Sequence, residues 1–125
     1  NGLGNFAARV STLFQRHGSI EGVEPAHEIK KEITETAARI HGAIDKFKLH
    51  EAVTAIWDLI KFGDGYVDLH KPWKTGDQTV IAQAVLLLGA IADFAEPIVP
   101  KAAAIIKEGI ANQQKIDNLF PRLDA

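Results

Sequence analysis

Apolar residues recur along this 125-residue chain with the period of an α-helix, and no stretch alternates well enough to read as a strand. Leu3, Phe6, Val10, Leu13 and Phe14 fall on one stripe, which predicts a first helix ending near Gly18. SIEGVE follows as a loop. Pro25 suits the first turn of a second helix, and Glu24 and Glu28 complement its dipole there. That helix is expected to bury Ile29, Ile33, Ala37, Ile40, Ile44 and Phe47 along a bundle seam. After a break at 46–48, Leu49, Val53, Ile56, Ile60, Gly63 and Val67 form the stripe of a third helix, with Trp57 in the core. Pro72 ends it, because the residue before a proline is pushed out of the α region. KTGDQT reads as a turn with Asp77 as N-cap of a fourth helix, VIAQAVLLLGAIADFA, apolar around most of its circumference and therefore central. Pro97 and Pro100 make a corner into a short fifth helix over about 101–109. The polar remainder closes on Leu119, Phe120 and Leu123, a terminal clip packing back on the bundle. The expected fold is all-α: one antiparallel bundle of about five helices over 1–125, with 110–125 as a C-terminal extension.

Composition narrows the picture. An apolar fraction of 46% supplies a core, and the lack of cysteine removes disulfides, thiolate metal sites and Cys nucleophiles. The longest apolar run, AVLLLGAIA, falls short of the roughly 20 residues that a bilayer requires. The chain starts at Asn1 and contains no methionine, so it reads as a piece of something longer. A net charge of −2 offers no bulk attraction to nucleic acid, but its distribution is uneven. Residues 1–18 carry Arg9 and Arg16 without an acid, and 70–76 carry His70, Lys71 and Lys74, again without one. If the fold joins these segments, they make a local basic patch.

Two features could carry chemistry. Asn5, Arg9, Thr12 and Arg16 share one polar stripe of the first helix, either a solvated face or a surface for an anionic, hydrogen-bonding ligand. Trp73 follows Pro72 between Lys71 and Lys74, either as a plug over the bundle's end or as a platform on which an unstacked base rests while the lysines neutralise its backbone. Catalytic patterns are lacking. A di-iron bundle needs paired Glu-x-x-His motifs, and the chain has one, Glu24 to His27, with a proline inside it. No His-Glu-x-x-His, phosphate-binding glycine loop after a strand, or nucleophile elbow occurs.

LGNFAARV at 3–10, AIWDLIKFGDGYVDLHKPW at 55–73, AEPIVPKAA at 95–103 and DNLFPRL at 117–123 together resemble the C-terminal anticodon-binding domain of the methionyl-tRNA synthetases. The resemblance implies a bundle that reads the CAU anticodon of tRNA(Met). Asn5 and Arg9 would lie beside the first anticodon base, a cytosine, and Trp73 would stack on the anticodon bases with Asp68 in the same site. Arg16, Lys71 and Lys74 would add RNA backbone contacts. Asp64 and Gly65 depart from the Asn and basic residue common before the family's Tyr, which sets an acid where phosphate would approach. The resemblance also implies a cytoplasmic methionine–tRNA ligase whose catalytic domain, with its ATP, methionine and zinc or magnesium, lies outside this chain and packs against it. The fragment would then hold no cofactor and be inactive alone, with neither DNA nor a membrane as partner. The alternatives are the anticodon-binding bundle of another class I synthetase and a helical protein-interaction module with no RNA role.

Overall fold

The computed structural model describes residues 2–117 and 119–120, and among these it contains six helices and no strand. Helix α1 (Gly2–His17) buries Leu3, Phe6, Val10, Leu13 and Phe14, the stripe that its sequence sets out. Helix α2 (His27–Asp45) begins two residues beyond Pro25 rather than at it. The cause lies far along the chain: the buried amide of Gln83 accepts from the Ala26 N–H at 2.7 Å and donates to the Glu24 carbonyl at 3.0 Å, so the backbone of 24–26 is committed before the helix starts.

The expected seam of α2 needs correction at its far end. Ile29, Thr36 and Ala43 are buried and Ile33 and Ile40 half-buried, whereas Ile44 and Phe47 face solvent, Phe47 at 96% exposure. Phe47 adopts φ 57° and closes the helix in the left-handed conformation, with the Lys48 N–H donating to the Ala43 carbonyl at 2.8 Å. That is the geometry of a Schellman turn, and it carries the ring away from the bundle.

Helix α3 (Leu49–His70) buries Ile56, Leu59, Ile60, Gly63, Tyr66 and Val67. Leu49, at its first turn, is exposed, and Trp57 is a rim residue at 40% exposure rather than a core one. The Trp57 ring lies where α1 starts: a Cβ on Gly2 would stand 2.7 Å from its Cζ3. Lys71 then turns left-handed at φ 48°, and Pro72 opens a one-turn helix, α4 (Pro72–Thr75), where a plain turn was expected.

Helix α5 (Gln78–Ala95) is capped by Asp77, whose carboxylate accepts from the N–H groups of Thr79 at 2.9 Å and Val80 at 3.3 Å. By length and composition it is apolar enough to cross a membrane, a stronger signal than the run AVLLLGAIA alone suggests. In the bundle it is the core helix, with Ile81, Leu87, Leu88 and Ile91 fully buried beneath its neighbours. Helix α6 (Pro100–Asn112) outruns its expected end by three residues. Beyond it Ile116 and Leu119 are buried and Phe120 is 41% exposed, while Leu123 lies outside the described residues.

Pairings between helices fix their directions. Gly2 meets Trp57, Phe6 meets Gly63, and Arg9 meets Asp64 and Asp68, so α1 and α3 run parallel. Arg39 pairs with Asp58 at 3.0 Å and Lys107 with Asp93 at 2.8 Å, which makes α2–α3 and α5–α6 antiparallel. His17, at the end of α1, lies beside Gly76 just before α5, so α5 opposes α1. Helices α1, α3 and α6 therefore point one way and bring their C-terminal ends to the same end of the bundle. Arg16, His17 and His70 stand in last turns there, where cations complement the helix dipoles.

Candidate nucleic-acid interface

At that end the two basic segments meet. The left-handed Lys71 reverses the chain out of α3, its N–H donating to the Val67 carbonyl at 2.9 Å, and α4 swings back toward α1. Pro72 is buried and forms the plug over the bundle's end, while Trp73 stands outside it at 47% exposure. The guanidinium of Arg9 lies over the indole, 5.1 Å from the ring centroid. At a wet site such a cation–π contact contributes about 0.5–1 kcal/mol, enough to bias the ring's orientation.

Arg9 is held from its other side by two carboxylates one turn apart on α3. Its Nη1 lies 3.5 Å from Asp64, and its Nη2 donates to Asp68. Asp64 is the less exposed of the two. Burial pushes its carboxyl above the ordinary value of 3.8, Arg9 pulls it back, and Asp68 adds to the rise. The guanidinium is thus positioned and largely neutralised, so its approach to an anion is governed by geometry more than by net charge.

Beside this cluster runs an open groove of about 460 Å³, lined by Ala8, Arg9, Thr12, Leu13, Arg16, Trp73, Lys115 and Asp117. Of the sequence-derived candidates, Arg9, Arg16 and Trp73 come together on this groove. Asp68 joins them through Arg9. Asn5 is exposed one turn before Arg9 on α1, outside the groove's lining, and Lys71 and Lys74 are exposed neighbours of Trp73 that do not line it either. Lys115, Asp117 and the Asp64–Arg9 contact were not legible in the sequence. Lys115 sits in a polar stretch that reads as a tail, and nothing in its spacing tells which helix it crosses.

Among the described residues no group of three or more His, Cys, Asp or Glu could hold a metal ion. The site is an all-α bundle's surface groove, with one half-exposed indole, an oriented arginine and two further cations.

The sequence matches a domain-sized segment of the methionyl-tRNA synthetases. It is 30% identical to the methionine–tRNA ligase of Methanopyrus kandleri across 94% of this chain and 19% of that protein. The enzyme of Natronomonas pharaonis is 34% identical over 82% of this chain and 16% of its own length. The cytoplasmic methionine–tRNA ligase of Xenopus laevis is 25% identical over 92% and 14%. The chain therefore spans about a fifth or less of the relatives that it matches. No family model and no solved structure matches it.

Proposed function

We propose that this bundle reads the anticodon of tRNA(Met) as the RNA-binding domain of a cytoplasmic methionine–tRNA ligase. The observation that carries the reading is the half-exposed Trp73 with Arg9 over its ring, on a groove that Arg16 and Lys115 also line. A base splayed from the anticodon loop stacks on the free part of the indole, and Asp64 and Asp68 keep the guanidinium in register beside it. Asn5, one turn from Arg9, offers an amide that can donate to and accept from a base edge, which suits a cytosine at the first anticodon position. Lys71 and Lys74 approach the backbone from outside the groove. Amino-acid activation, ATP and metal belong to the remainder of such a ligase, and this chain alone does not aminoacylate.

Titration of an anticodon hairpin with a CAU loop against the chain tests this. Stacking contributes about 1–3 kcal/mol per base, so Trp73→Ala weakens binding by roughly 5- to 150-fold, and Arg9→Ala by at least several-fold. Unchanged affinity in both variants overturns the proposal. Indifference to replacing the cytosine at the first anticodon position assigns the groove to a different class I synthetase. A chain that self-associates and ignores RNA is an interaction module instead.

A further inference from the structure

We infer that residues 113–117, directly after α6, form a second half of the RNA site, in which Lys115 and Arg16 bind the phosphodiester next to the base stacked on Trp73. The inference rests on the anticodon reading and extends it to a residue that neither the motifs nor the relatives assign.

The argument starts from how Lys115 is held. Gln113 takes φ 52° at the end of α6, and its side-chain amide donates to the Phe14 and Gly18 carbonyls, both at 2.7 Å, across the C-terminal end of α1. Three residues later the Ile116 N–H donates to the Ser11 hydroxyl at 2.8 Å, a buried bond, and that hydroxyl in turn donates to the Ala8 carbonyl at 3.1 Å. The Ile116 side chain rests in a notch left by Gly109, where a Cβ would come within 2.5 Å of it. With 113 and 116 both tied to α1, Lys115 is held beside the groove that Thr12, Arg16 and Trp73 share, and lines it.

Its charge is the feature that selects the ligand. Arg9 is paired with two carboxylates, so the remaining cations lining the groove itself are Arg16 and Lys115, with Lys71 and Lys74 flanking the indole outside it. Among the described residues Lys115 pairs with Asp117 at 3.5 Å, an exposed pair of little strength that a phosphate can displace. An aromatic face followed along one groove by two cations is the arrangement that tracks a single strand, base on the ring and backbone on the cations. The ligand class is therefore a single-stranded RNA backbone running from Trp73 toward Lys115, not a free nucleotide.

The salt dependence of hairpin binding reads this directly, because each phosphate contact adds about 0.7 to the slope of log affinity against log salt for a single strand. Lys115→Ala is expected to weaken binding two- to fivefold at low salt and to lower the slope by about that one-contact amount. Asp117→Asn, which frees Lys115, is expected to strengthen binding up to about threefold. Lys101→Ala, at the exposed start of α6, serves as the control and should leave slope and affinity unchanged. Far-ultraviolet circular dichroism checks that each variant keeps its helices. A Lys115→Ala slope equal to wild type, with Trp73→Ala still abolishing most binding, overturns the second half-site and leaves the anticodon reading standing. A wild-type chain that does not bind the hairpin overturns both.

Discussion

The central residue is Arg9, and its behaviour follows from its three neighbours rather than from its own charge. Asp64 and Asp68 fix the fork of the guanidinium, and the indole of Trp73 gives its flat face something to lie on. An acid at position 64 looked, on sequence grounds, like a defect in an RNA site. In the fold it is part of what orients Arg9, at the cost of one negative charge by the groove. Asp64→Asn keeps the shape and removes that charge. It should bind the hairpin a few-fold more tightly, since a partly exposed charge pair is worth about 0.2–1 kcal/mol, and a titration at two salt concentrations checks it. The same residue has a signature in stability. Its folded pKa is raised above 3.8, so as pH rises past that value the unfolded chain gives up the proton first and wild-type stability falls until the folded carboxyl has ionised. Asp64→Asn lacks this fall, which denaturant midpoints measured across the mildly acidic range would reveal.

Elements, too, are set as much by partners as by their own sequence. The start of α5 is local: Asp77 caps it within three residues, and Asp77→Ala should cost about 1 kcal/mol, visible as a lower urea midpoint with an unchanged slope. The start of α2 is not local, because Gln83, distant in sequence, binds the backbone that would have formed its first turn. Replacing Gln83 with leucine removes both of its bonds to the partly buried Ala26 N–H and Glu24 carbonyl, and about 0.5–1.5 kcal/mol per bond should be lost by the same measurement. The end of α2 shows a third case, in which an apolar period continues past the point where the helix has any neighbour. Phe47 therefore keeps the seam's spacing and none of its burial.

For the whole molecule, packing and site geometry meet at Gly63. It lets α1 approach α3: a Cβ there would lie 2.5 Å from Phe6 Cζ and 3.0 Å from Leu87 Cδ2. Gly63→Ala should destabilise the bundle by about 1–3 kcal/mol through overpacking, less about 1 kcal/mol of helix propensity. Because Arg9 lies one turn beyond Phe6 and its partners Asp64 and Asp68 follow Gly63 directly and just over a turn later, spreading the two helices should also weaken hairpin binding. Thermal unfolding and titration of the same variant check both effects, and a loss of stability with full binding would separate the packing from the site.

Much of this was written in the chain itself. Helix periods, the Asp77 cap, the central α5 and the break at Pro72 are local matters of spacing and backbone chemistry, so the sequence by itself determined an all-α bundle with two acid-free basic segments. It also placed Trp73 outside a helix seam. Only the tertiary structure decided which of those segments touch, that Pro72 and not Trp73 seals the bundle's end, that Trp57 sits at the rim, and that Lys115 joins the groove. These depend on helix direction and on hydrogen bonds spanning up to 105 positions, such as that from Ile116 to Ser11. No local period records contacts of that range, because they exist only once the core has brought the helices together.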